Sequence, residues 1–497
     1  MLKIRASQLA GLTDVITVAI ASRVFFGFIL LMSVVQGMWY ALSFRPFIFD
    51  EPRHIQFIDM YTHTLNPLIS VQTQNLDVLG QVAREPSYLY YYAMSFPLRF
   101  FHLITDSQQA HIILLRFVSI GIFVVSLLLL KKLFDEIGLS KAISNLVLFI
   151  FIMLPVTGTI IGSVTYDTAV LPLIFLMLLC TTRVLRSKQI NVRLVLFFYV
   201  IACVASVIKY TSLPIAVTCT FIIFHHYGRY YKTDFKKLFK HCQNQLTTQR
   251  PIINIILGLI LVAATFVAIE RPIKNMVSYH NISPSCARTL PPVEAESRCI
   301  KNYTYKRDVE FKKDKPADFA AVDQTRYFLT TWVPGMLYTS EQQYPGASAV
   351  RFSRHFHNML FLAGLALILL ALREALRRNK LLHVLLWTTI AYSFSVFLSN
   401  YDGYARLGKP VAINARYLLP VLPLFIGILL FSCSILFKRN GHKLVLVSLL
   451  IYILTLTQGG GIISYIMNGN NNIYWPHNVV IRANDTAKLV LSKIVLQ

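Results

Sequence analysis

The chain has 497 residues, 55% of them apolar and only 14% charged, with 48 Lys+Arg against 23 Asp+Glu for a formal charge of +25. Hydrophobicity on that scale excludes disorder, and seven Cys in so long a chain exclude a secreted disulfide scaffold. The basic balance does not argue for a nucleic-acid partner, because basic nucleic-acid binders keep their charge on solvated faces and lack apolar runs that span a bilayer.

Such runs dominate here. Eleven hydrophobic segments of spanning length follow one another, roughly 14–42, 111–130, 142–162, 168–182, 194–209, 212–227, 252–269, 356–372, 381–399, 415–437 and 444–467, several near the short limit for a crossing. The first is long and lacks a small-residue cleavage site, so it reads as a retained span. Connectors 1–13, 131–141, 183–193, 228–250, 373–380 and 438–443 hold 22 Lys/Arg and four acids, which is +18 of the +25. The positive-inside rule puts these connectors and the N-terminus in the cytoplasm, and 43–110, 163–167, 270–355, 400–413 and 468–497 outside.

The expected fold is an all-α polytopic membrane protein. Residues 1–42 form the N-terminus and first span, 43–110 a first extracytoplasmic loop, 111–269 a transmembrane core, 270–355 a small extracytoplasmic loop domain, 356–467 the C-terminal spans and 468–497 an outside tail. Two outside segments are longer than a turn requires, and loops of that size are usually functional. The first carries six acids and four Lys/Arg, with semi-apolar stretches near 54–65 and 88–104 suited to interfacial helices. Tyr88, Tyr90, Tyr91 and Tyr92 fit an interfacial aromatic belt. In the second, Cys286 and Cys299 lie on the oxidising side, which predicts a disulfide closing that loop. Asn281, Asn302 and Asn484 each begin an Asn-x-Ser/Thr triplet on the outside.

Chemistry is concentrated at Asp50-Glu51-Pro52-Arg53-His54, just beyond the first span. A carboxylate at an apolar boundary has the tunable pKa of a general base, while Asp-Glu-Pro is equally a helix start. Lys209 and Arg416 sit at outer ends of spans, where charge serves a purpose or snorkels to the interface. Arg116 and Asp167, in or beside apolar spans, read as catalytic groups or as structural ion-pair members. His54 with Asp50 or Glu51 and Glu85 offers hard ligands for a divalent metal, against the plainer reading of a helix-face polar residue.

Taken in order, these positions resemble the GT-C superfamily, membrane glycosyltransferases that use polyprenyl-phosphate-linked sugars, including protein O-mannosyltransferases and aminoarabinose transferases. The acidic pair after the first span is similar to the family signature. Glu85-Pro86-Ser87-Tyr88-Leu89-Tyr90, preceded by Arg84, resembles its Glu-Pro-Pro-hydrophobic-Tyr-Tyr segment, with Ser87 in place of the second Pro. Arg116, Tyr166-Asp167 and Lys209 resemble recurrent family positions. Asn414-Ala415-Arg416-Tyr417-Leu418-Leu419-Pro420 is similar to a Gly-Arg-Tyr-hydrophobic-Pro motif of a less characterised bacterial branch, with Ala415 replacing Gly. The likeness runs over about residues 10–230 and, more loosely, 400–437; loop 270–355 matches no family motif and leaves the acceptor open.

The resemblance implies a GT-C-like core in a bacterial inner or plasma membrane. It implies a base from Asp50 or Glu51 and an acceptor hydroxyl on a cell-envelope glycan, lipid or protein. Glu85, Asp167 and Tyr417 would join the substrate site, and the leaving phosphate would be held by cations among Arg84, Lys209, Arg271, Lys274, Arg326 and Arg416. No cofactor is required, although some family members use a divalent metal, for which His54 and Glu85 are the ligands here. Two other classes fit the composition, a transporter or flippase of lipid-linked sugars and a non-catalytic envelope-assembly subunit. A transporter would line its path with ionisable groups at the span centres, whereas the acids gather in 43–110.

Overall fold

The computed structural model describes residues 13–46, 50–69, 85–187, 189–231, 235–248, 251–290, 297–299, 303–338, 354–437, 441–457, 461–469 and 471–495. Among them every regular element is a helix, apart from an isolated antiparallel bridge between Phe44 and Tyr474. The principal helices are α1 (Arg23–Ser43), α2 (Glu51–Thr62), α3 (Leu89–His102), α4 (Gln108–Ile137), α5 (Lys141–Met153), α6 (Tyr166–Arg186) and α7 (Val192–Ile208). They are followed by α8 (Leu213–Tyr231), α9 (Pro251–Tyr279), α10 (Arg354–Arg378), α11 (Leu382–Leu407), α12 (Leu422–Leu436), α13 (Gly441–Thr457) and α14 (Asn478–Val495).

Six of the described helices are long and apolar enough to cross a membrane: α1, α4, α6, α9, the 359–378 part of α10, and α11. This makes the chain a multi-pass membrane protein. The other five expected spans are also helical, but they fall short for local reasons. The 142–162 run breaks where Leu154 is extended and Pro155 opens a new helix, Pro155–Ile160, because the residue before a proline is pushed out of the helical region. The 415–437 run begins with a 3-10 turn at Ala415–Leu418, and the 444–467 run divides into α13 and a short helix, Ile463–Asn468. Helix α7 has 17 residues, and α8 ends in a polar stretch containing His225, His226 and Arg229. In α9, Ile252, Ile255, Leu259, Val262 and Phe266 are exposed while Asn254, Arg271 and Asn275 are buried. An outward apolar face with its polar groups turned inward is what a lipid solvent selects.

Helix α4 packs on α6, α6 on α7, α7 on α9 and α1 on α4. The segment after Pro155 is drawn against α1 through two glycines. A Cβ on Gly162 would lie 2.7 Å from the Gly37 carbonyl oxygen, and one on Gly37 would lie 2.7 Å from Ile120. On the side where α1 ends, α2 and α3 pack together, and Phe57, Ile58, Tyr61, Tyr90, Tyr91 and Met94 make a second core. Arg99 of α3 donates to the carbonyls of Tyr61 and Thr64, satisfying the end of α2. Tyr88, Tyr90 and Tyr91 are buried, which corrects their expected role in a lipid-facing belt: the rings belong to this second core.

The C-terminal segment returns to α1. Trp475 N–H donates to the Ser43 carbonyl, Arg45 Nε to the Tyr474 carbonyl, and Trp39 Nε1 to Asn484 Oδ1. Asn484 is thereby buried, so its triplet presents no accessible amide. The expected disulfide joins Cys286 to Cys299. The helix expected to stop at 269 continues as α9 to Tyr279, carrying Arg271 and Lys274 on it.

Candidate active site

Asp50 has a left-handed backbone (φ 63, ψ 17) immediately before α2, with Pro52 in that helix's first turn. Aspartate is among the few non-glycine residues that accept this region. Its side chain stands at the N-cap position but makes no capping bond. Instead Oδ2 accepts from Arg416 Nη2 at 3.0 Å, with the Asp50 side chain 49% exposed and that of Arg416 12%. Burial pushes the Asp50 carboxyl up, but Arg416 and the nearby Arg53 outweigh it and hold the group below the usual carboxylate range.

Glu51 lies on the opposite side of the helix start and is fully buried. Its Oε1 accepts from Arg116 Nε at 2.8 Å and from the Val164 N–H at 2.8 Å; Oε2 accepts from Arg116 Nη2 at 2.7 Å and from the Tyr40 hydroxyl at 3.3 Å. The remaining Arg116 nitrogen donates to the carbonyls of Ala41 and Phe44 at the end of α1. Every acceptor site of Glu51 is thus occupied, and the Arg116 and Glu51 pair ties together the end of α1, the start of α2 and the turn before α6.

One turn into α2, His54 is buried, with Nδ1 sharing a hydrogen bond with the Tyr91 hydroxyl at 3.0 Å and its ring edge-on to Tyr166 at 4.7 Å. Burial pushes its pKa down to about 3 against the pull of Asp50 and Asp167, so the imidazole is neutral. Its Nε2 has no hydrogen-bond partner among the described residues.

Asp167 opens α6, where the Thr165 hydroxyl accepts from its N–H. Lys209 ends α7 in extended conformation and donates to Asp167 Oδ1, with its Nζ 5.1 Å from the centre of the Tyr166 ring and 5.3 Å from that of Tyr417. Both partners are buried. Arg416 also donates to the Tyr417 hydroxyl at 3.2 Å and lies over that ring. Asp50, His54, Asp167, Lys209, Arg416 and Tyr417, drawn from four distant stretches of sequence, therefore form one cluster. Asp167 feels the charges of Lys209 and Arg416 together.

Glu85 adjoins this cluster through Arg53, and its carboxylate accepts from the Ser87 N–H at 3.3 Å. Burial raises its pKa, opposed by Arg53, Ser87 and Arg271. Arg271, expected as a loop cation, is a buried clamp. It donates to the carbonyls of Glu85 and Pro67 and to the Tyr61 hydroxyl, with its guanidinium 3.9 Å from the Tyr88 ring centre. Lys274 is exposed and pairs with Glu270, and Arg326 is exposed. Arg84 lies outside the described residues. Among the described residues no three His, Cys, Asp or Glu side chains gather into a group able to hold a metal.

Arg116 and Asp167 are each paired, but with Glu51 and Lys209 and not with one another. A charged residue within an apolar span announces a partner without identifying it. Nothing in the sequence signals the site roles of Arg53 and Tyr91; the tyrosine run is visible, but nothing in it marks Tyr91 as the partner of His54. No family model and no curated protein matches the chain.

With Glu51 and Arg116 neutralising each other, Arg53, Lys209, Arg271 and Arg416 stand against Asp50, Glu85 and Asp167, four cations to three carboxylates. A half-exposed carboxylate with no helix-capping bond, its side chain hydrogen-bonded to Arg416, suits proton abstraction beside a bound anion.

Proposed function

We propose that the protein is a GT-C-type glycosyltransferase that moves a sugar from a polyprenyl-phosphate donor to a cell-envelope glycan, lipid or protein. In this reading the chain crosses a bacterial inner or plasma membrane about eleven times with its N-terminus in the cytoplasm, so that the cluster faces outside. The observation that carries the reading is the meeting at Arg416 of Asp50 with the Lys209 and Asp167 pair, at the ends of apolar helices. That is where a lipid's phosphate would sit while its tail remains in the bilayer.

Asp50 acts as the base. It takes the proton of an acceptor hydroxyl, whose oxygen attacks the anomeric carbon. The bond from that carbon to the phosphate oxygen breaks, and the electron pair leaves on polyprenyl phosphate. Arg416, with a planar fork suited to phosphate, and Lys209, as a fixed charge, stabilise the leaving anion. Tyr417 orients Arg416, and neutral His54 presents Nε2 for a hydrogen bond to substrate. Glu51 holds the base in place. The loop closed by Cys286 and Cys299 is suited to acceptor recognition.

The test is transfer of radiolabel from a panel of polyprenyl-phosphate sugars to an envelope extract by purified protein. Label should appear on an envelope component with at least one donor, and Arg416→Gln should lower that rate at least tenfold. Movement of intact donor across proteoliposomes without transfer would instead establish a flippase.

A further inference from the structure

We infer that Asp50 is an internal stand-in for the donor phosphate on Arg416, so that arrival of the donor frees the base; this rests on the glycosyl-transfer reading of the same site. Three features of the cluster support the exchange. First, Arg416 is largely buried, and a buried guanidinium needs an anion whether or not donor is present. Asp50 meets that need through Nη2, in contrast to the two-pronged grip of Arg116 on Glu51.

Second, the Asp50 carboxylate is half exposed and bound by no capping bond, so it can rotate into water while the helix start stays fixed by Glu51. Asp167, the other carboxylate beside the cations, is fully enclosed and held by Lys209 and Thr165, and has no comparable exit.

Third, the phosphodiester of the donor presents the same pair of oxygens to a guanidinium as a carboxylate does, with the same single charge, and the polyprenyl monophosphate left after transfer presents them with more. The donor phosphate therefore takes Arg416 in exchange for Asp50. While paired to Arg416, the carboxylate's charge is already committed and it is a weak base; once displaced, it is restored as a proton acceptor beside the anomeric carbon. No bond is made or broken in the exchange. The consequence is an order of events: donor binds first, and an acceptor hydroxyl reaching the empty site meets an inactive base.

The exchange is tested by binding alone, with full-length protein in nanodiscs and undecaprenyl monophosphate as probe, and undecaprenol as the uncharged control. Arg416→Gln should weaken phosphate binding at least tenfold. Asp50→Asn should strengthen it about tenfold, as should Asp50→Ala, which removes the competing acceptor by different chemistry. The gain should vanish in Asp50→Asn combined with Arg416→Gln, and undecaprenol binding should not change in any variant. If Arg416→Gln weakens binding while neither Asp50 variant strengthens it, the exchange is wrong and the phosphate site stands. If wild-type protein binds the monophosphate no better than undecaprenol, the glycosyl-transfer reading falls along with it.

Discussion

Asp50 and Glu51 share a peptide bond, yet one carboxylate is bound by four hydrogen-bond donors inside the protein and the other is left to a single arginine at the surface. Successive residues on a helix point about 100° apart, so two adjacent acids at a helix start cannot share one environment. Which of them turns inward is set by the left-handed backbone at Asp50, and no residue type announces that in advance. Removing one partner of a buried pair leaves an uncompensated charge, so Arg116→Met is expected to lower stability by about 3–5 kcal/mol. The thermal midpoint in detergent checks this; an unchanged midpoint would remove the clamp from the account.

His54 gives a pH signature. Its folded pKa of about 3 lies below the ordinary 6.5, so below pH 6.5 the unfolded chain takes up a proton that the folded chain refuses. Its contribution to stability is complete above pH 6.5 and declines as pH falls, by about 1.4 kcal/mol per unit, or about 2 kcal/mol at pH 5. Wild-type protein should therefore lose more thermal stability between pH 7 and pH 5 than His54→Asn does. Equal losses would mean that the imidazole is not held neutral.

Among the elements, the segment between α5 and α6 does most to place the site, since it brings the Val164 N–H to Glu51 and leads into Asp167. Its approach to α1 depends on Gly162, where a Cβ would meet the Gly37 carbonyl oxygen and Tyr40. Gly162→Ala is expected to cost about 1–3 kcal/mol through overpacking. Gly121→Ala, with nothing within 4 Å, should be neutral or stabilising by about 1 kcal/mol. A neutral Gly162→Ala would show that the segments can separate without loss.

The sequence revealed these elements unevenly. Helices at 51–62 and 89–102 were foreshadowed by their semi-apolar stretches, but hydropathy could not separate a lipid-facing Tyr from one buried under a neighbouring helix. It also ended α9 ten residues early, because Arg271 and Lys274 interrupt apolarity without interrupting helicity. The buried role of Arg271 depends on the carbonyls of Glu85 and Pro67, partners supplied by folding.

At the scale of the molecule, composition and apolar runs were enough for an all-helical membrane protein, and cysteine placement was enough for the Cys286 to Cys299 bond. Six of the eleven expected crossings have the length and apolarity for a span among the described helices; a run of apolar residues does not reveal the breaks at Pro155 and around residue 461. The charge pattern makes a separate claim about sidedness. A reporter fused at residue 240 should read cytoplasm and one at residue 310 outside; the reverse would put the cluster on the wrong face for a polyprenyl-phosphate sugar.

The central claim, that Asp50 is the base of a glycosyl transfer, is tested most directly by single-turnover transfer from the active polyprenyl-phosphate sugar with purified Asp50→Asn and Lys274→Gln proteins matched for folded content. Loss of a positioned base should slow Asp50→Asn by about 10²–10⁴-fold, while Lys274→Gln should transfer at the wild-type rate. Transfer by folded Asp50→Asn at the wild-type rate would contradict the account.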